Sequence, residues 1–276
     1  MTDRSLAKTA FAAAALCCAL ATAAVADDAA PMPGAERAKG YLEPSELPDS
    51  VALLPPPPEL GSAAENLDQQ IARRAREFEG QTRFKLAALD ADLSFPFAAG
   101  TFSCSIGFAI KQETSPILYQ LLRKTMADAG AATGAAKNRY RHARPFMLDG
   151  RKTCQPEAED DLRKNGSYPS GHTSIGWTWA EILAEIAPDR ADAVLARGRA
   201  FGESRIVCDA HWGSDVMEGR IVGAATVVKL HANADFRADL AKAKTELDAA
   251  RAAGEPPQRD CAEEALALKQ TPWLTP

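Results

Sequence analysis

The chain has 276 residues, 32 lysines and arginines against 37 aspartates and glutamates, a net charge of −5, 46% hydrophobic residues and six cysteines. This length builds one globular domain or at most two small ones, and the near-average hydrophobicity and charge exclude both wholesale disorder and a disulfide-dense miniprotein. The acidic balance argues against a general nucleic-acid or anionic-membrane binder, which relies on a basic footprint, so any anion site has to be local.

At the N-terminus, Arg4 and Lys8 precede an Ala- and Leu-rich run from Ala10, and Ala24-Val25-Ala26 supplies the small residues of a cleavage site. Residues 1–26 therefore read as an export signal. The rival reading, an uncleaved anchor, is disfavoured because an Ala-dominated run is short and weakly apolar against the roughly 20 residues that a span needs. No second run of that length follows, and the expected destination is a bacterial periplasm, an oxidising compartment.

Residues 27–61 are rich in proline and small residues, end in the run Pro55 to Pro58, and read as polyproline II laid over the surface. From 62 to 93 the spacing turns helical, with Leu67, Ile71, Ala75 and Phe78 on one face, as one long helix or two broken near Gly80. Residues 95 to 111 show no sustained period and read as a loop. Ser115-Pro116 reads as a helix start, a capping hydroxyl followed by proline, with the helix running to about Ala129. After Gly130 a second helical stretch carries Lys137 through Arg144 and ends at Pro145.

Residues 146 to 168 read as a polar connection containing Cys154. The stretch 173 to 187, with Ile175, Trp179, Ile182, Leu183 and Ile186, is strongly helical and stops at Pro188. Asp189 caps the next helix, and helices over 211–230 and 234–252, the latter between Asn233 and Gly254, complete the set. No strand alternation appears, so the fold class is all-α: a helical domain over 62–254 followed by a tail at 255–276.

Cleavage would remove Cys17 and Cys18 and leave Cys104, Cys154, Cys208 and Cys261, with no C-x-x-C spacing. Disulfides fit this better than zinc. Three pairings are open. Cys154 and Cys208 both lie close in sequence to the motifs below, which favours joining them and leaves Cys104 with Cys261 to tie down the tail.

Three segments could hold an anion. In Lys137-Asn-Arg-Tyr-Arg-His-Ala-Arg144-Pro145, a continuous helix would put Lys137, Arg141 and Arg144 on one face, although a solvated basic face looks the same. Pro169-Ser170-Gly171-His172 opens a helix whose free N–H groups suit an anion, and equally suits plain N-capping by Ser170. In Ser204-Arg205 to His211-Trp-Gly-Ser-Asp215, an aspartate four residues after a histidine can fix its tautomer and leave the other nitrogen as nucleophile or base; a core histidine satisfied by an acid is the alternative. Outside these positions His142 reads as a surface residue, Arg141 as a positive rim, His231 as a charge partner at a helix C-terminus, and Trp177 and Trp179 as residues that cannot share a face.

Taken together, K-x6-R-P at Lys137 to Pro145, P-S-G-H at Pro169 to His172 and S-R-x5-H-x3-D at Ser204 to Asp215 resemble the complete signature of the type 2 phosphatidic-acid-phosphatase (PAP2) superfamily. The surroundings, with Ala52-Leu53-Leu54 before four prolines and Asn165-Gly166-Ser167-Tyr168 before Pro169, resemble the bacterial class A non-specific acid phosphatases from about Val51 to Ala252.

The resemblance implies a haloperoxidase-like helical domain and a metal-independent, cofactor-free acid phosphatase acting on many phosphate monoesters, among them nucleotides, sugar phosphates and aryl phosphates. It implies His211 as the nucleophile that forms a phosphohistidine, Asp215 as its orienting partner and His172 as general acid and base. Lys137, Arg144, Arg205, Ser170 and Gly171 would cradle the phosphate, in keeping with a reaction catalysed mainly by positioning and electrostatics. It further implies transfer to alcohols as a side activity, inhibition by vanadate-like analogues, a mildly acidic optimum and a homo-oligomer, with no nucleic-acid or membrane partner. The competing readings are a vanadium-dependent haloperoxidase and a non-catalytic phosphate-binding protein on the same scaffold.

Overall fold

A computed structural model describes residues 38–273, so the expected export signal at 1–26 and the first part of the Pro-rich segment lie outside the described residues. From residue 38 the chain straps the domain: the Tyr41 and Leu42 amides donate to Asp128 at 2.9 and 3.1 Å, and the Tyr168 hydroxyl donates to the Pro55 carbonyl at 2.7 Å. Helices α1 (Ala63–Ala75) and α2 (Thr82–Ala91) follow. Ser62 caps the first through the Glu65 amide, and Gly80, at φ +78°, separates the two in the left-handed conformation that glycine adopts without strain.

The remaining principal helices are α3 (Pro116–Ala131), α4 (Gly134–Tyr140), α5 (Gly171–Ile186), α6 (Ala191–Val207), α7 (Gly213–Ala232), α8 (Ala234–Ala253) and α9 (Cys261–Ala267). No strand occurs among the described residues, and none of their helices is long and apolar enough to cross a membrane. The protein is all-α.

Helix α5 is the centre of the domain because it is apolar nearly all round. Ile175, Trp179, Ile182, Leu183 and Ile186 are buried, and α3, α6 and α7 pack around it. Phe201, Leu118, Leu122, Leu230 and Phe236 join them in one core, each such side chain contributing about 1.5–3 kcal/mol. The Trp179 indole is satisfied by the Leu122 carbonyl at 2.9 Å, while Trp177 on the other face lies beneath the Arg220 guanidinium. At Gly219 on α7 a Cβ would sit 2.6 Å from the Ser170 carbonyl, so glycine lets α7 press against the start of α5.

Several boundaries differ from the sequence expectation. Ser115 does not cap α3: its hydroxyl turns back to Lys111, and the Glu246 carboxylate of α8 takes the Ile117 and Leu118 amides, each at 2.9 Å, bringing a full charge to the helix N-terminus. Asp189 sits in a 3₁₀ turn, Pro188–Arg190, ahead of α6, where Arg251 claims its carboxylate at 2.9 Å. Residues 95 to 111 are not a plain loop but contain the turns Phe97–Phe102 and Ser103–Ile106, and Phe102, Ile106 and Ile110 in this stretch are buried. The connection after Arg144 likewise holds short helices at Pro145–Asp149 and Glu159–Leu162.

Two disulfides, Cys104–Cys261 and Cys154–Cys208, close loops of 157 and 54 residues. The first fixes α9. On the same tail Glu264 pairs with Arg197 at 3.2 Å, Arg259 reaches Asp90 at 3.5 Å, and the Trp273 indole donates to Glu203 at 2.7 Å. Replacing Cys104 and Cys261 together by serine is expected to lower unfolding free energy by about 2–5 kcal/mol, chiefly by freeing the unfolded chain. Denaturant titration of both forms checks it, and a change below about 1 kcal/mol would show that the ionic contacts of the tail suffice.

Candidate active site

The site forms where α5 begins, α6 ends and α7 begins. Ser170 caps α5 by accepting from the Thr173 amide and hydroxyl at 3.3 and 2.9 Å, and its own amide donates to the Asp215 carbonyl at 3.0 Å, tying the starts of α5 and α7 together. Gly171 is the first residue of α5. Arg205 lies in the last turn of α6, and its carbonyl accepts from both the Ala210 and His211 amides. Asp209, left-handed at φ 58°, makes the reversal that places His211 beside Arg205.

The segment from Lys137 to Pro145 departs from the expected continuous helix. α4 stops at Tyr140, Arg141 is left-handed at φ 47°, and Arg144 is extended ahead of a short helix that Pro145 opens rather than ends. The three cations consequently do not share a face: Arg141 is exposed, whereas Lys137 and Arg144 are buried. Gly166 makes this possible, since a Cβ there would stand 2.7 Å from the Lys137 carbonyl. Both cations then converge on the Gly166 carbonyl, Lys137 Nζ at 2.8 Å and Arg144 Nη2 at 3.3 Å.

Lys137, Arg144, Ser170, His172, Arg205, His211 and Asp215 are each 3% exposed or less. The orientation of His211 follows from its neighbours. Arg144 Nη1 stands 3.0 Å from His211 Nε2, and a guanidinium only donates, so Nε2 is the accepting nitrogen and carries a lone pair. Nδ1 lies 3.2 Å from Asp215 Oδ2, which only accepts, so Nδ1 carries the hydrogen. Arg144 is itself aimed by the Leu162 and Ala210 carbonyls at 2.9 and 3.1 Å and by the Asn165 side chain. His172 stacks on Phe201, and its Nε2 lies 3.0 Å from the Ala91 carbonyl.

Asp215 is fully enclosed. Burial would raise its pKa, but hydrogen bonds from His142 and His211 and their charges outweigh burial and hold the carboxyl well below the usual carboxylate range. The Trp212 amide adds a bond to Oδ2 at 2.9 Å. Next to it, Asp68 of α1 accepts from the Ser214 amide at 2.8 Å and so caps the start of α7; burial pushes its pKa up despite the two bonds from Ser214.

His142 corrects the sequence reading. It is only a quarter exposed, and its Nδ1 stands 3.4 Å from Asp215 Oδ1 and 3.2 Å from the Ser167 hydroxyl. Nothing in the spacing marks it, because its carboxylate partner is 73 residues away. Asp68 is found only in the fold for the same reason, and Asn165, which the sequence marks only as part of the resemblance, bonds Arg144. His231 lies far along α7 and pairs with Glu185 at 3.0 Å.

The arrangement brings one guanidinium, Arg144, and one ammonium, Lys137, to a shared carbonyl, with the guanidinium also against a histidine that offers a lone pair. The PAP2 superfamily model matches residues 120–237, which contain all of these groups except Asp68 and Ala91. A non-specific acid phosphatase of Providencia stuartii is 45% identical over 75% of this chain and 84% of its own length. An acid phosphatase of Zymomonas mobilis is 40% identical over 76% of this chain and 79% of its own, and a non-specific acid phosphatase of Salmonella typhimurium 40% identical over 78% and 86%. The chain belongs to the PAP2 superfamily, among its non-specific acid phosphatases.

Proposed function

We propose that the protein is an exported, metal-independent acid phosphatase that hydrolyses a broad range of phosphate monoesters through a phosphohistidine on His211. The observation that carries this is the tautomer of His211, with Nδ1–H on Asp215 and the Nε2 lone pair beside the Arg144 guanidinium. An anion drawn into the cradle by Arg144, Arg205, Lys137 and the Ser170–Gly171 helix start presents its phosphorus to Nε2.

In the first step the Nε2 lone pair forms the P–N bond, the P–O ester bond breaks, and His172 gives its proton to the leaving oxygen. Asp215 stabilises the positive charge that develops on His211. Because His172 Nε2 faces a carbonyl, which only accepts, the proton in transit is carried at Nδ1. In the second step His172 takes a proton from water, the water oxygen bonds to phosphorus, and the P–N bond breaks to return the lone pair to His211. An alcohol in place of that water gives phosphotransfer. His172 must arrive protonated, which sets a mildly acidic optimum.

Two disulfides support an oxidising compartment such as the periplasm for residues 27–276. A homo-oligomer is supported by an exposed apolar stripe on α7, Met217, Ile221 and Val228, each 48% exposed or more.

The test is phosphate release from nucleotide, sugar and aryl monoesters at about pH 5 to 6 with chelator present, together with acid-labile, alkali-stable labelling of the protein by a radioactive monoester. Labelled wild type and unlabelled His211→Ala are expected. Activity that vanishes with chelator, or equal labelling of both proteins, would overturn the reading.

A further inference from the structure

Asp215 serves two histidines. His211 leans on Oδ2 from a fully buried position, while His142 stands on Oδ1 from a partly exposed one. The His142 ring stands between Tyr168, at right angles to it, and Trp212, tilted against it, with ring centres 6.5 and 6.4 Å away, and Trp212 is in turn pinned by its indole N–H on the Ala143 carbonyl at 2.8 Å. The Ser167 hydroxyl can give its hydrogen to the Ala143 carbonyl, so both groups at His142 Nδ1, Ser167 Oγ and Asp215 Oδ1, accept from it. His142 therefore keeps a hydrogen on Nδ1, and Nε2 is where it gains or loses a proton.

We propose that His142 is a positioning residue that sets the acid limit of the reaction by sharing the carboxylate of Asp215 with His211. This rests on the reading of His211 as nucleophile. A nucleophilic His211 must stay neutral in acid, yet its carboxylate partner favours its protonated form. With His142 as an imidazolium on the other oxygen, the carboxylate is already neutralised and a second proton on His211 gains less from it. A charge on the partly exposed ring keeps some of its hydration, whereas a charge on the fully buried ring would have to be desolvated, so the geometry favours His142 as the site of the extra proton. Acidification thus loads His142 and spares the Nε2 lone pair of His211.

The other charged groups facing His142 act in the same direction or are fixed. Asp68 on α1 is close enough to favour the His142 imidazolium, and the Tyr168 phenol, pushed up by burial, stays neutral. Arg141, one residue away, is exposed and permanently charged.

The experiment is the pH profile of kcat/KM for wild type, His142→Gln and His142→Arg, with phosphoenzyme labelling run in parallel. Glutamine removes the charge, and its acid limb is expected to move up by about one pH unit, seen as an approximately tenfold loss at the acid end. Arginine restores a permanent charge, and its limb is expected to stay with that of wild type or fall below it. Coincident limbs for glutamine and wild type, or equal shifts for both variants, would show that His142 only fills space and would overturn the inference. Failure of the nucleophile reading is separately visible, as a wild type that takes up no label.

Discussion

Replacing His211 by alanine is expected to lower kcat for phosphate release by about four orders of magnitude or more, because single removals from a nucleophilic unit cost about that much. Binding should change far less, since Arg144, Arg205, Lys137 and the start of α5 remain. Asp215→Asn separates two contributions of the carboxylate. The Trp212 amide, 2.9 Å from Oδ2, requires an acceptor there, so the amide oxygen of asparagine takes that place and still accepts from His211 Nδ1. The His211 tautomer survives and the charge is lost, while the amide NH2, now at the Oδ1 place, obliges His142 Nδ1 to accept instead of donate. The expected decrease is therefore smaller than the about 10⁴-fold loss that accompanies a wrong tautomer. Single-turnover measurements check both variants; an Asp215→Asn enzyme as inactive as His211→Ala would show that the charge itself governs the chemical step.

The second large effect is on stability. Asp90, Arg197, Arg83 and Ser204 are each 1% exposed or less. Asp90 binds Arg197 through both oxygens, accepts from the Ser204 hydroxyl at 2.7 Å, and Arg83 donates to that hydroxyl at 2.9 Å. Burial lowers the pKa of Arg83 to about 10 against the pull of Asp90 and Glu203. Removing the carboxylate leaves buried cations with too little negative charge, and breaking such a group costs about 3–5 kcal/mol. Asp90→Ala is expected to unfold at correspondingly lower urea concentration, with kcat/KM reduced because Ser204 directly precedes Arg205. A stability change below about 1 kcal/mol would mean that Glu264 and Glu203 neutralise the arginines unaided.

Local chemistry in the sequence carried much of this architecture. The apolar run around Trp179, the proline stop at Pro188 and the Asn233 and Gly254 boundaries of α8 are all decided within a few residues, and they stand where the spacing puts them. The three motif segments converge in space, as far as Lys137, Arg144, Ser170, His211 and Asp215 show through their bonds. What was not legible depends on partners distant in the chain. The break after Tyr140 is accommodated by Gly166, which leaves room against the Lys137 carbonyl, Ser115 loses its capping role to Glu246, and His142 acquires a carboxylate from α7. In each case helix propensity or polarity suggests one conformation and a contact made only in the folded state selects another.

The tail has a consequence for the order in which the molecule can be finished. Cys104 has to wait for Cys261, and the buried Asp90–Arg197 group is completed by Arg259 and Glu264, more than 50 residues further along the chain than Arg197. In a chain that emerges N-terminus first, α2 and α6 can meet early, but their charge balance is settled only when the segment carrying Arg259 and Glu264 arrives. Assembly of the interior is thereby coupled to synthesis of the segment from Arg259 to Glu264, so a chain interrupted before Arg259 would expose an unfinished ionic core to proteolysis instead of persisting as a shortened enzyme.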